Sequence, residues 1–321
     1  MKPKNCLIFG ASGLIGRHLI RKLTQNNFKV TAVTRNVHQK GYYLKPLGNP
    51  GYIEVVESSI FDESKIRSLI QKADVCINLV GILFEKDKIN TFQNIHEKFP
   101  NFLSNLCKEY EVEQFIHLSA LGVDEAIDSS YATSKLKGEE FVKNNLKEAN
   151  ILRPSVVYSA DDNFTTSFMT ILSLSPIFPL YYNGSTLFRP IYVSDLTEII
   201  FQLILQNVKS ITLECIGPEE ISLKNILKRL LKLIGKKRLL LPVPLIIAKL
   251  SAFFFQLFPK PLITLDQLKL LKYNNVPSGK YKTNFDLKIL SSANFDNEVK
   301  KYSYMWKDGG QFSKLNKEEN K

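Results

Sequence analysis

The sequence predicts an α/β fold, a doubly wound parallel sheet with a smaller C-terminal lobe, and three observations carry that prediction. Short apolar runs alternate with amphipathic segments through the first half of the chain, the pattern of a sheet covered by helices on both faces. The runs lack polar alternation, as strands buried on both sides should. The first run leads directly into Gly10, Gly13 and Gly16 at the start of a helical pattern.

Taken in order, strands are predicted at 5–9, 29–34, 52–56, 75–80, 114–118 and 150–152. Helices are predicted between them at 14–23, where Ile15, Leu19 and Leu23 recur every four residues, and at 63–71, 91–110 and 131–147. Pro100 should kink or split the third of these, because its nitrogen carries no hydrogen and its ring crowds the preceding turn. After Pro154 turn residues become common and strands sparse. The expected division is residues 1–158 as the sheet domain, with 189–216 returning to it, and 159–188 with 217–313 as the smaller lobe. The polar stretch 314–321 is expected to be a disordered tail. In the lobe, Ser222 precedes Leu223, Ile226, Leu227, Leu230 and Ile234, with Gly235 behind them. That is a capped amphipathic helix with a glycine stop.

Composition narrows the function. The 321 residues are 44% hydrophobic, enough for a full core without the long apolar runs of a polytopic membrane protein. Cys6, Cys76, Cys107 and Cys215 lie far apart, and so do His18, His38, His96 and His117. Neither a disulfide framework nor a metal site is expected, and the histidines read as ordinary structural or surface residues. The net charge of +12 is spread through a chain rich in lysine, asparagine and isoleucine. No basic stripe interleaves with aromatics, so no nucleic-acid partner is expected. The first apolar run starts at Asn5, so no signal or transit peptide is expected ahead of it.

The chemistry begins at Phe9-Gly10-Ala11-Ser12-Gly13-Leu14-Ile15-Gly16. Gly10 permits a tight turn, Gly13 lets the backbone approach a pyrophosphate, and Gly16 lets helix and sheet pack closely. The free N–H groups and dipole of the helix then face the phosphates. Glycine triplets also occur in purely structural turns, but here strand, turn and helix stand in the order that an NAD(P)-binding Rossmann fold requires. At the end of the second strand stands Arg35, where an acidic residue would hold an unphosphorylated ribose. An arginine there favours a 2′-phosphate, hence NADPH over NAD(H); the alternative is a surface arginine with no ligand. Val80 and Gly81 close the fourth strand, and Pro154 and Val157 follow the sixth, where strand ends line a cofactor crevice.

Tyr131 and Lys135 stand four residues apart, on one helix face. In a reductase such a tyrosine exchanges a proton with the substrate oxygen, while the lysine holds the nicotinamide ribose and lowers the tyrosine pKa from about 10.

With these residues together, the chain resembles the extended and atypical short-chain dehydrogenase/reductase superfamily. Within it, the stretches NLVGILFE (78–85), ILRPSVVY (151–158), FRPIYVSD (188–195), LPVP (241–244) and LDQLKLLK (265–272), with Asn275 and Val276, resemble the nucleotide-binding accessory (39-kDa-type) subunit of respiratory complex I and its bacterial relatives. The resemblance implies an NADPH held structurally, with complex I subunits or another membrane-associated respiratory or quinone assembly as partners. It also implies a peripheral place on the inner membrane, on the cytoplasmic side in a bacterium or the matrix side in a mitochondrion. Two departures stand out. The superfamily's substrate-orienting hydroxyl usually comes from the second residue of a Ser-Ser or Ser-Thr pair, but here the pair is Ser119-Ala120; a lost donor of this kind costs about 3 kcal/mol, or ~100-fold in rate. Ser119 substitutes only if the strand end is shifted by one residue. Relatives also often carry an acidic residue, holding the adenine amine, where this chain has Ser59; the adjoining Ile60 is expected among the cofactor-binding residues. Binding before catalysis is therefore the expectation. The rivals are an active NADP-dependent oxidoreductase or epimerase acting on a quinone precursor, lipid or sugar, and a nucleotide sensor with another protein partner.

Lys236, Lys237 and Arg238 precede an apolar stretch that begins at Leu239 and ends at Phe258, interrupted by Pro242, Pro244, Lys249, Ser251 and Gln256. A membrane span needs about 20 apolar residues and tolerates a central lysine poorly. Two readings remain: a core helix of the lobe, or a helix lying flat on an anionic membrane or partner with Phe253, Phe254, Phe255 and Leu257 buried there. The resemblance favours the second.

Overall fold

The computed structural model describes residues 3–256, 261 and 263–312, and they divide into two compact units. The first runs to Pro154 and is rejoined by Val193–Cys215 and Pro277–Leu290. Its centre is one eight-stranded sheet of β1 (Asn5–Phe9), β2 (Lys29–Thr34), β3 (Ile53–Glu57), β4 (Val75–Asn78), β5 (Gln114–Leu118), β6 (Asn150–Pro154), β7 (Thr212–Cys215) and β8 (Lys282–Thr283). Every pairing is parallel and the order is β8-β7-β6-β5-β4-β1-β2-β3. The doubly wound fold is therefore as expected. The order reverses between β1 and β4, and at such a switch point the following loops leave toward opposite faces and open a crevice at the carboxyl ends of the strands.

Helices α1 (Leu14–Gln25), α2 (Val37–Leu44), α3 (Glu63–Ile70), α4 (Phe99–Glu109), α5 (Ser130–Asn145) and α6 (Val193–Leu205) cover the sheet. On one face Leu7, Phe9, Cys76 and Phe115 pack with Ile66, Leu103 and Val142. On α1, Leu19, Ile20 and Leu23 are fully buried, and the helix packs along α6.

Three features depart from the sequence reading. The helix expected over 91–110 is divided beside Pro100, but by a change of helix type rather than by a break. A π-helical turn, Gln93–Lys98, runs straight into α4. Pro100 has no N–H to offer the His96 carbonyl one turn back, and α5 closes on that oxygen instead: a methyl group added to Gly138 would lie 2.0 Å from it. The boundary of the first unit falls at Pro154 rather than 158, because β6 ends there and Val157–Tyr158 pairs with Ile191–Tyr192 in the second unit. The return begins at Val193, and Pro277–Leu290 also returns, held where the buried Glu214 carboxylate accepts from Ser278 N (3.0 Å) and Oγ (2.6 Å).

The second unit comprises Ser155–Tyr192, Ile216–Val276 and the described residues from Ser291. Met169, Leu172, Leu227, Leu230, Phe295 and Trp306 fill its core. The helix Leu223–Ile234 starts at Ser222, whose side chain accepts from Asn225 N, and stops at Gly235 with φ +69°, where only glycine turns left-handed without strain. The helix Leu245–Phe255 is not a core helix. Among its described side chains only Ala248 and Ala252 are buried, while Leu245, Ile246, Ile247, Leu250, Phe253 and Phe254 are exposed. Among the described residues no helix is long and apolar enough to cross a membrane. The Phe255 side chain, Leu257, Phe258 and the 314–321 tail lie outside the described residues.

Candidate nucleotide site

The turn from β1 to α1 sits at the switch point. Gly10 has φ +80°, and a methyl group on it would lie 3.0 Å from the Leu79 carbonyl carbon and 3.2 Å from Val80 N. The loops after β1 and β4 therefore approach backbone to backbone. A methyl group on Gly16 would meet Ala11 O at 2.5 Å and Gly10 O at 2.6 Å, so α1 presses onto its own turn. Gly13 is the N-cap, with no side-chain cap and no acidic residue in the first turn. The N–H groups of Leu14, Ile15 and Gly16 thus open α1 as an uncompensated positive end.

Cations gather beside this turn. Ser12 Oγ lies 3.4 Å from both Thr34 Oγ1 and Lys40 Nζ, and Arg17 Nη1 donates to Ser12 O at 3.1 Å. Arg35 is exposed at the end of β2 and reaches only as far as Asn90 Oδ1, 3.2 Å away. Lys40 was not singled out in the sequence because α2, the helix that carries it, shows no apolar periodicity; its start is fixed by the Asn36 side chain accepting from Gln39 N. The Glu57 carboxylate accepts from Val37 N at 2.7 Å. Ile60 is half-buried against the core beside the sheet, and the exposed Ser59 accepts from Phe61 N.

At the other end of the crevice, α5 brings Tyr131 and Lys135 to one face. Lys135 is buried, its ammonium donates to Leu118 O at 3.0 Å, and a methyl group on Gly81 would lie 3.2 Å from its Nζ. Burial lowers its pKa to about 8, opposed by the Glu139 charge. Burial pushes Tyr131 up to about 12, against aromatic neighbours Phe92 and His96. Ser119 is the first residue past β5. Its N–H donates to Leu152 O at 2.7 Å, and its Oγ is buried without a hydrogen-bond partner among the described residues. Ala120 follows it, half-buried and without a side-chain donor. Val80 N donates to Asn78 Oδ1 at 3.1 Å, and Pro154 O accepts from Leu121 N at 2.9 Å. Val157 belongs to the second unit.

Two groups near this end were not anticipated. His96 and His117 are buried and neutral: burial and the Lys135 charge lower them to about 2 and about 3. Beneath α5, the buried Arg153 on β6 makes a two-bond fork with Glu139 (2.9 and 2.8 Å) and reaches Asp124 Oδ2 at 3.1 Å. The Tyr281 ring lies 4.5 Å away over the guanidinium. Glu139 stands four residues beyond Lys135, so the pattern Tyr131, Lys135, Glu139 along one helix face was the available signal. Among the described residues no group of three or more histidine, cysteine or acidic side chains is placed to hold a metal.

The residues fit a dinucleotide. A methyl group on Gly13 would meet only Gly10 O, at 3.2 Å, so the turn leaves room for a pyrophosphate beside the open end of α1, and the Ser119 hydroxyl, without a partner among the described residues, and the Lys135 ammonium offer hydrogen bonds at the far end.

A glycine turn at the switch point of a doubly wound parallel sheet, with a Tyr–Lys pair on the facing helix, defines the Rossmann dinucleotide-binding class. More narrowly, the NAD dependent epimerase/dehydratase family matches residues 6–213, and the chain belongs to it. It is 27% identical over 283 residues to NADH dehydrogenase [ubiquinone] 1 alpha subcomplex subunit 9, mitochondrial, of Arabidopsis thaliana, covering 84% of this chain and 70% of that one. It is also 27% identical, over 190 residues, to the ceramide reductase of Caulobacter vibrioides, covering 59% of this chain and 57% of that one. In fold it is similar to a UDP-glucuronic acid 4-epimerase from Bacillus cereus crystallised with UDP-glucuronic acid and NAD, with TM-score 0.71, 19% identity and coverage of 93% and 98%.

Proposed function

We propose that this protein binds NADPH and holds it as a structural ligand, serving as an accessory or assembly element of a complex I of the NADH:ubiquinone oxidoreductase type. The observation that carries the reading is an asymmetry within one site. The phosphate-gripping residues are present: three turn glycines, an open helix end, Lys40 near Ser12, and the exposed Arg35 at the end of β2 for a 2′-phosphate. The reacting half is incomplete: Ala120 stands where the resemblance places a hydroxyl donor, and burial pushes the Tyr131 phenol up rather than down. The relatives named as complex I subunits support the partner. A bound reduced nicotinamide would supply a hydride; Tyr131, Lys135 and Ser119 would orient its ribose and ring. Held this way, the ligand stabilises the fold by mass action.

Calorimetry on nucleotide-free protein tests this. NADPH should bind about tenfold or more tightly than NADH, and Arg35→Glu should erase the difference. Equal affinities would sink the preference for NADPH, and no uptake would sink the nucleotide reading. The enzymatic reading is favoured by the survival of both Tyr131 and Lys135 and by the similarity to a ceramide reductase. Oxidation of bound NADPH by a quinone or lipid, lost in Tyr131→Phe, would replace the structural reading with that one.

The exposed apolar helix Leu245–Phe255 is the proposed contact with an anionic membrane surface on the cytoplasmic or matrix side. Its inward positions among the described side chains are alanines, its outward ones are large, and the exposed Lys249 and Lys237 match acidic headgroups, while Lys236 pairs with Asp308 and Arg238 donates to the Leu172 and Ser173 carbonyls. The paired substitution Phe253→Ser and Phe254→Ser is expected to cut binding to phosphatidylserine vesicles about tenfold or more. Unchanged sedimentation with vesicles rejects the contact.

A further inference from the structure

We infer that His96 is a positioning residue for the nicotinamide end of the site, one ring that fixes the loop after β4 to the helix bearing Tyr131 and Lys135. This rests on the nucleotide reading above and adds to it a residue that reaches the ligand only through others.

Each atom of the side chain with bonding capacity is used. Ile82 N–H donates to His96 Nε2 at 3.1 Å, so that nitrogen carries no proton. The Ser134 hydroxyl donates to Tyr131 O at 2.8 Å, so it must accept from His96 Nδ1, 2.9 Å away. One neutral tautomer, protonated on Nδ1, satisfies both bonds, and the buried surroundings keep the ring neutral. Ile82 adjoins Gly81, and a methyl group on Gly81 would lie 3.7 Å from His96 Nε2 and 3.2 Å from Lys135 Nζ. The same ring meets Tyr131 edge-on with centroids 5.4 Å apart and stacks on Phe92 at 5.3 Å. Its backbone carbonyl, left without a proline N–H one turn on, receives Gly138 of α5.

The residue lies in the π-helical turn Gln93–Lys98, a local widening of a helix that is frequent at functional sites. Any buried histidine needs partners for its ring nitrogens. Here the bonds go to the backbone of the crevice loop and to the turn of α5 that carries both site residues.

The test uses the full-length protein and two ligands, NADPH and adenosine 2′,5′-bisphosphate, which lacks the nicotinamide half. His96→Ala should weaken NADPH about tenfold while leaving the bisphosphate unchanged, and should diminish the fluorescence of saturating bound NADPH. His96→Gln, which keeps an acceptor for Ile82 N–H, should restore part of the loss. Ser134→Ala removes one bond by a milder change, so it serves if His96→Ala fails to fold. It should show the same ligand signature, and the double variant should lose less than the two singles added. Equal weakening of both ligands, or unchanged NADPH affinity in both single variants, overturns the inference. Wild-type protein that takes up neither ligand sinks the nucleotide reading and this inference with it.

Discussion

Replacing Arg153 by methionine is expected to lower the unfolding free energy by roughly 3–5 kcal/mol, the range for removing one partner of a buried charge pair. The guanidinium is fully buried, and so is the Glu139 carboxylate it grips with two bonds. Asp124 and the Tyr281 ring complete its surroundings. Methionine matches the volume of the stem but leaves Glu139 charged and dry. Lys143 stands 3.8 Å from Glu139, half exposed, and is too well hydrated to replace the lost partner. Adding Glu139→Gln to Arg153→Met should recover a large part of the loss, because the cost lies in the orphaned charge rather than in the missing bond. Urea unfolding of the two variants measures both quantities. A shift under about 1 kcal/mol for Arg153→Met would mean that water reaches Glu139 and that the pair is not buried in solution.

Arg153 also shows where sequence reasoning stops. It was legible as the end of a strand, yet its partners lie on α5, in the loop after β5 and in the returning segment, and no local spacing joins those places. Glu139 repeats the four-residue interval of Tyr131 and Lys135, but on a helix such an interval usually marks a solvated ion pair. The glycine turn was legible for the opposite reason. Gly10, Gly13 and Gly16 contact their own turn and the adjacent loop, so local sequence states nearly all of the constraint. Strands buried on two faces declare themselves by unbroken apolar runs, which is why β1 through β6 were readable. The two residues of β8 form no run at all; their place depends on Glu214 holding Ser278.

The same distinction explains the histidines and the apolar helix. His96 was set aside because nothing nearby in sequence pairs with it, while its bonds go to Ile82 and Ser134 across the fold. For the Leu245–Phe255 helix, composition fixed a helix but not which side faces inward. Two alanines four residues apart, Ala248 and Ala252, are the inward stripe, a signal hidden by the stronger hydrophobicity of the outward residues.

Two glycines in the turn separate binding from folding. Gly16→Ala places a methyl group 2.5 Å from Ala11 O and 2.6 Å from Gly10 O; both are backbone atoms and cannot swing aside. The first turn of α1 must lift, at a cost of about 1–3 kcal/mol for overpacking. Displacing the N–H groups by even ~1 Å is expected to weaken NADPH about 100-fold. Gly13→Ala differs: the added methyl group meets only Gly10 O, at 3.2 Å, and the backbone is in an extended conformation that alanine adopts freely. Its stability should stay within about 0.5 kcal/mol of the parent, as for an ordinary surface change. Its NADPH affinity should still fall about tenfold or more, since the methyl group occupies the approach to the pyrophosphate. Thermal unfolding read beside calorimetry tells the two apart. Full NADPH affinity in Gly13→Ala would mean that the phosphates do not rest on this turn, and the cradle would then be only a tight crossing between helix and sheet.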